Sequence, residues 1–424
     1  MGTKRLVIFN TLAQLVAKAV NSVSTLLITL LITTNYGEAG FGNFNTIITY
    51  IFLFYILVDF GLNAIAIQDF VSEERKTDSY FSNLIGIRLT LSIFTSFTAL
   101  AVLAFGNYSS EVKLGIIIAL GMIFTQGLFN STNAIFQARM RYELAAVADI
   151  VGSLTTLFLA YLVVRGGGGI LPVVFIYVVG GFVRVGVSLF LARDFVRPLK
   201  LAFDFKIWKT LLLSSLPLGL TLVFSQIAAN IDKQIIYLTH YPPQLNLTGD
   251  AAAGIYGLAY KFLDLALVLP AFFINSVYPI MIKKNNEGTG HFDRVIRKMG
   301  LFLFLISLVG AILGIYLAPW IISIFRGGHS DFNGSINVLQ ILLLGLPLFY
   351  VSGLLMWALI TLGRQRELMF IYGFAALFNL VTNLVFIPIY GYLAAAVITL
   401  LSETVILLPC AYLYFREIRR AVGE

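Results

Sequence analysis

Long apolar runs alternate along the chain with short polar breaks marked by charge or by Gly, Pro and Asn. Unbroken runs of this length predict helices, because a membrane barrel strand would alternate with a two-residue period over about ten residues. Twelve spans follow, near 6–32, 44–66, 80–105, 113–137, 144–164 and 171–193, then near 210–239, 252–282, 299–325, 335–362, 368–388 and 392–415. Each approaches or exceeds the roughly 20 apolar residues that cross a bilayer. The expected class is an all-α polytopic membrane protein. The first run follows Lys4 and Arg5, but it is too long for a signal peptide and lacks a small-x-small cleavage site, so it reads as a retained helix.

Composition narrows the reading. Of 424 residues, 59% are hydrophobic and 12% charged, against about 25% charged in a soluble domain. A soluble enzyme and a disordered chain are excluded, and Cys410, the single cysteine, excludes a disulfide scaffold. The net charge of +8 is an orientation signal. With the N-terminus inside, 21 of the 29 Lys and Arg fall in cytoplasmic loops, and only Lys113, Arg165 and Arg326 fall in outer ones. This asymmetry predicts both termini on the cytoplasmic side of the cell's inner membrane and an attraction to anionic lipid rather than to nucleic acid. Near the midpoint, residues 194–209 (DFVRPLKLAFDFKIWK) interleave basic and aromatic residues and read as an interfacial linker. They separate an N-terminal six-helix bundle, 1–193, from a C-terminal six-helix bundle, 210–424. Ala39-Gly40-Phe41-Gly42 resembles Ala253-Gly254-Ile255-Tyr256-Gly257, and Arg139-x-Arg141 resembles Arg364-x-Arg366, which suggests a parallel internal repeat.

Soluble-enzyme motifs are missing. Gly166–Gly169 reads as a turn in an outer loop, and His240, His291 and His329 show no ligand spacing, so neither a metal nor a cofactor is expected. No loop is long enough for a nucleotide-hydrolysing domain, which leaves an ion or substrate gradient as the energy source. The informative residues are ionisable groups inside spans, each costing roughly 2.5–3.5 kcal/mol at a helix centre. Asn10, Gln14, Lys18, Asn21 and Thr25 share one face of the first span. That stripe either lines a cavity or bonds to neighbouring helices. Gln226, Asn230, Lys233 and Tyr237 repeat it in the seventh, where Lys233 is close enough to the outer end to snorkel. The eighth carries Tyr256, Tyr260 and Asp264 at four-residue spacing, with Lys261 one turn before Asp264. The last two either neutralise one another or both project into a polar cavity. Asp59 and Glu403 read as proton-carrying carboxylates or buried partners of basic residues. Arg88 and Arg184 lie near cytoplasmic helix ends and read as snorkelling, with Asp149 shallower still. Lysines at mid-membrane suit an anionic headgroup, above all a phosphate or pyrophosphate.

Several segments, in their order and spacing, resemble the polysaccharide-biosynthesis flippases of the Wzx or O-antigen type. They are Asp59-Phe60-Gly61-Leu62, Phe136-Gln137-Ala138-Arg139-Met140, Leu216-Pro217, Ile231-Asp232-Lys233-Gln234-Ile235-Ile236, Ala253-Gly254-Ile255-Tyr256 with Lys261, and Asn379 to Gly391. The resemblance covers nearly the whole chain. It implies the MATE-like fold of the multidrug/oligosaccharidyl-lipid/polysaccharide exporter superfamily, with two six-helix bundles around a central cavity lined by spans one, two, seven and eight. It also implies alternating-access translocation of polyprenyl-pyrophosphate-linked oligosaccharide to the outer leaflet for surface-glycan assembly.

On that expectation, Lys18, Lys261, Lys233, Gln14, Asn21 and Tyr260 meet the pyrophosphate and glycan. Asp264, Asp59, Glu403 and Asp232 are the candidates for coupling to H⁺ or Na⁺. The partners are the lipid-linked glycan and membrane lipids, and a monomer suffices. One departure stands out: many relatives carry a basic residue shortly after the Asp-Phe-Gly-Leu segment, where this chain has Asn63-Ala64-Ile65-Ala66. The competing readings are a cation-coupled drug exporter of the same fold and a membrane polysaccharide polymerase or ligase. The short outer loops argue against the enzyme.

Overall fold

The computed structural model describes residues 3–72, 77–196, 201–326 and 330–422. Arg75, Lys76, Arg197, Lys200 and His329 lie outside the described residues, as do the side chains of residues 3–11, Asn10 among them. The described chain is built from α-helices: α1 (Thr3–Asp59), α2 (Leu62–Ser72), α3 (Thr77–Phe105), α4 (Ser110–Ala119), α5 (Gly121–Ala138), α6 (Tyr142–Arg165) and α7 (Ile170–Ala192). They continue as α8 (Phe205–Leu238), α9 (Gly249–Glu287), α10 (Thr289–Phe325), α11 (Gly334–Leu344), α12 (Leu346–Thr361), α13 (Gln365–Tyr390) and α14 (Tyr392–Val422).

Among the described residues ten helices are long and apolar enough to cross a bilayer, eleven when the pair α11 and α12, bent by 44° at Gly345, counts as one span. The stretch Leu12–Asp59 within α1 has 48 residues. At 1.5 Å per residue it is far longer than the hydrocarbon core, which is about 30 Å thick. It breaks at Gly37, whose φ of 67° and ψ of −165° leave the helical region. Counted as two spans it brings the total to the expected twelve, and the all-α polytopic class holds. The outer surface agrees: Phe94, Phe97, Phe105, Phe158 and Trp320 are exposed, a pattern suited to lipid rather than water.

The next break comes at the Asp-Phe-Gly segment. Phe60 (φ 38°) and Gly61 (φ 71°) end α1 and restart the chain as α2. Contacts divide the protein into two units, one of Met1–Tyr36 with Asn43–Val223, the other of Gly37–Gly42 with Phe224–Glu424. Each unit contains a glycine crossing where a side chain would not fit. In the second unit a Cβ on Gly42 would lie 1.8 Å from the Asp250 carbonyl oxygen, and one on Gly254 would lie 2.0 Å from that of Glu38. The two similar glycine segments noted in the sequence therefore press backbone against backbone. In the first unit a Cβ on Gly219 would lie 2.7 Å from the Phe60 carbonyl oxygen.

The start of α8 is anchored within the first unit. Asp204 caps it by accepting from the Lys206 and Ile207 amides, while Asn83 on α3 accepts from the Asp204 amide at 2.8 Å and from Trp208 Nε1 at 3.2 Å. Trp208 thus points into a core with Leu62, Phe70, Phe81 and Leu84 rather than outward. Phe203 and Phe205 beside it stay exposed.

Candidate functional site

Each unit holds its own cluster of polar groups inside apolar spans. In the first unit the cluster grows from the end of α1. Tyr55 and Asp59 are one turn apart there, with Asn63 just beyond the Phe60–Gly61 break. Arg88 of α3, 1% exposed, donates to Asp59 Oδ1 at 3.0 Å and to Asn63 Oδ1 at 3.1 Å. Its other terminal nitrogen reaches the Gly127 carbonyl at 3.3 Å and Ser131 at 3.2 Å on α5. Asn130 donates to Asp59 at 3.2 Å and to Tyr55. Next to it Arg184 of α7 pairs with Asp149 of α6 at 3.3 Å, donates to Gln126, and lies 4.3 Å from the centre of the Phe129 ring. Lys18 lies within electrostatic range of Asp149.

Two of the sequence expectations are corrected here. Arg88 does not snorkel: it is sealed inside the unit and neutralised by Asp59. Arg184 is also paired, and its guanidinium lies over the Phe129 ring. Both were misassigned because depth along one helix says nothing about which neighbours surround a side chain. A signal was available in the four-residue spacing of Tyr55, Asp59 and Asn63 and of Gln126 and Asn130 within otherwise apolar stretches.

The second unit arranges its charges differently. Asp232 on α8 is fully buried. It accepts from the Lys233 amide at 2.8 Å, from the Tyr256 hydroxyl, and more distantly from Thr399 at 3.5 Å. Lys233 turns back along its own helix. Its Nζ donates to the Ala229 carbonyl and to Asn230 Oδ1, both at 2.9 Å, and sits 3.5 Å from the centre of the Tyr260 ring. With 5% exposure it is buried, so the snorkelling alternative is set aside for this lysine as well.

Beside Tyr260 opens a cavity of about 330 Å³ whose walls include Asp264, Ser352, Trp357, Asn379 and Glu403. Ser352 donates to Glu403, and Asn379 donates to Ser402 at 3.0 Å. Neither Glu403 nor Asp264 has an ion-pair partner among the described residues. Asp264 is exposed and Lys261 half-buried; no ion pair joins them, so direct mutual neutralisation is not observed. Ser352 went unnoticed in the sequence because only the fold brings it to Glu403.

The predicted residues therefore fall into two sets. Gln14 and Asn21, half-buried, and Lys18, exposed, stay together on α1 in the first unit, where Asp59 is tied to Arg88. Tyr260, Lys233, Asp232, Lys261, Asp264 and Glu403 belong to the second. Among the described residues no group of three or more His, Cys, Asp or Glu could hold a metal ion.

Fold and clusters together define an all-α, multi-pass membrane protein of the MATE-like fold. The chain matches the family of polysaccharide biosynthesis proteins over residues 4–284, more than half its length, and belongs to that family. Residues 244–385 also match the MatE family. Its fold is shared with a multidrug resistance MATE family transporter of the MOP superfamily in an inward-facing conformation, with a TM-score of 0.77, 15% identity, and 95% of each chain covered. It is similar to the lipid II flippase MurJ in an inward closed conformation, with a TM-score of 0.76 and 18% identity over 98% of this chain and 90% of that one. A MOP superfamily transporter from Pyrococcus furiosus, whose pocket is reported to have reverse polarity, matches at a TM-score of 0.67 and 15% identity over 99% and 96% of the two chains. No curated protein gives a significant sequence match.

Proposed function

We propose that the chain is a carrier, not an enzyme, that flips polyprenyl-pyrophosphate-linked oligosaccharide from the cytoplasmic to the outer leaflet by alternating access. The observation that carries this reading is a set of ionisable groups left open inside apolar spans: Lys18 on α1 and Asp264 on α9 are exposed, and Lys261 is half-buried without a bonding partner among the described residues. Charges at that depth face water or a charged guest, because lipid would penalise them. Two lysines suit a pyrophosphate, and membership in the polysaccharide biosynthesis family supports a glycan cargo.

In this reading the headgroup engages Lys18 and Lys261, assisted by Gln14, Asn21, Tyr260 and Lys233, while the polyprenyl tail stays in lipid. The bundles 1–193 and 210–424, joined through 194–209, alternate access with both termini in the cytoplasm. Moving a doubly negative headgroup outward gains about 2.3 kcal/mol per charge per 100 mV of inside-negative potential. Coupling to H⁺ or Na⁺ at Asp264, Glu403 or Asp232 adds to that drive. Asp59, held by Arg88, is the least available of the four candidates.

The test is reconstitution in liposomes with a fluorescent polyprenyl-pyrophosphate-linked oligosaccharide. Lys18→Ala and Lys261→Ala should each slow flipping at least tenfold in well-folded protein, and unchanged rates would remove the pyrophosphate assignment. The drug-exporter reading draws support from the aromatic and acidic walls of the second unit's cavity and from the fold shared with a multidrug transporter. It predicts dye efflux that depends on the carboxylates and no transport of lipid-linked sugar.

A further inference from the structure

The 330 Å³ cavity inside the second unit lies at the lower end of ligand pockets, which run from roughly 300 to 1,000 Å³. It is much larger than the share of liquid volume taken by one water, about 30 Å³. Its walls combine two materials. Tyr260 and Trp357 offer aromatic surface; Asn379, Ser352, Glu403 and Asp264 offer hydrogen-bonding groups around it. Ring faces carry the negative side of a quadrupole and attract polarised C–H groups. A pyranose has that form, with C–H faces above and below and a rim of hydroxyls.

The acidic lining favours a guest that donates hydrogen bonds. An ionised carboxylate has about four acceptor sites, and the one bond observed to Glu403 comes from Ser352. Asp264 has no bonding partner among the described residues. Lys233 does not line the cavity, but it is already seated over the Tyr260 ring, so a cationic guest would compete with it for that ring, with Lys261 in electrostatic range of Lys233. An anionic guest would meet Glu403 and Asp264. Sugar hydroxyls satisfy the carboxylates without bringing charge of either sign.

The register on α9 connects this cavity to the headgroup. Asp264 is exposed at the cavity wall, three residues after Lys261 on the same helical face and about 4.5 Å further along the axis. We infer that the second unit's cavity is a pyranose subsite that receives the sugar attached to the pyrophosphate, with Glu403 and Asp264 accepting from its hydroxyls and Trp357 covering one face. This rests on the flippase reading and specifies which part of the cargo the second unit recognises.

The test uses the full chain in lipid nanodiscs. Its ligands are undecaprenyl pyrophosphate without sugar and the same lipid carrying one glucose, galactose or N-acetylglucosamine. At least one sugar-bearing lipid should bind tenfold or more tighter than the sugar-free one and shift the tryptophan emission, and that shift should be missing in Trp357→Phe. Glu403→Gln should weaken binding of the sugar-bearing lipid at least tenfold more than binding of the sugar-free lipid. Equal affinities for all four lipids, or equal loss in Glu403→Gln for lipids with and without sugar, would overturn the subsite while leaving the flippase reading standing. Failure of the unmodified chain to bind any of the four would remove both. Displacement of the tryptophan signal by ethidium alone would make the cavity a cation site instead.

Discussion

The two units bury ionisable side chains on opposite plans. In the first, the acids near α3 and α7 are matched to guanidiniums: Asp59 to Arg88 and Asp149 to Arg184, with amide and hydroxyl groups taking most of the remaining bonds and only the two Nε–H groups left over among those of the arginines. In the second, two carboxylates, Asp264 and Glu403, face a cavity with no ion-pair partner among the described residues, while Lys233 leans on an aromatic ring and neutral acceptors. A matched network holds helices together and has little left to offer a guest. An unmatched one has spare hydrogen-bonding capacity and pays for it in stability unless something fills it. The difference assigns scaffolding to the first cluster and recognition to the second, and it can be tested by substitution.

The largest effect is expected at Arg88. Arg88→Met removes the cation and strands Asp59 within the unit, and breaking a buried pair on one side typically costs about 3–5 kcal/mol. Thermal unfolding of purified protein should show that loss, and Asp59→Asn added to Arg88→Met should recover most of it. Glu403→Gln, by contrast, keeps a side chain of the same shape within reach of Ser352 and should change stability by less than about 1 kcal/mol. Comparable losses at the two sites would end the distinction between scaffold and recognition.

The glycine crossings come next in size. Gly254→Ala places a methyl 2.0 Å from the Glu38 carbonyl oxygen, and forced overpacking of this kind costs typically 1–3 kcal/mol. Gly186→Ala on α7 meets nothing within 4 Å and should be neutral or stabilising by up to about 1 kcal/mol, since alanine is the better helix former. Side-by-side unfolding curves decide the matter, and indistinguishable variants would mean that the 38–42 and 250–254 segments part easily.

Much of the fold could be read from run lengths, because a bilayer imposes a minimum apolar length that stands out against short polar breaks. The division of α1 at Gly37 falls inside the polar break expected between 32 and 44, whereas the break at Phe60–Gly61 was hidden inside the apolar run 44–66. The bend at Gly345 was likewise hidden inside one apolar run. For the sites, stripes within a single helix were legible, as with Gln14, Lys18 and Asn21 or with Tyr256, Tyr260 and Asp264. Pairings between helices were not. Arg88 and Asp59 are 29 positions apart, and Ser352 and Glu403 are 51 apart. Hydropathy records how deep a residue lies along its own helix but not which neighbour meets it there, so Arg88 looked like an end-of-helix cation although it is the most enclosed charge in its unit's network.

The smallest effect is expected at Lys233, and it sharpens the comparison most directly because this lysine is nearly as enclosed as Arg88. Lys233→Met removes a cation–π contact, worth roughly 0.5–2 kcal/mol depending on solvation, together with two hydrogen bonds to the chain's own helix. It also removes the cost of burying an ammonium, which a flexible apolar side chain of similar length does not incur. Asp264 and Asp232 both lie in electrostatic range of that ammonium and lose its charge, but Asp264 is exposed and Asp232 stays hydrogen-bonded. Asp232 keeps the Tyr256 hydroxyl and the residue-233 amide, neither of which depends on the lysine side chain. The net change in unfolding stability should therefore stay within about 1 kcal/mol, well below that of Arg88→Met. A loss of 3 kcal/mol or more would show that Asp232 relies on the Lys233 charge as Asp59 relies on Arg88, and the second unit would then share the first unit's plan at this position, leaving Asp264 and Glu403 as its only open carboxylates among the described residues.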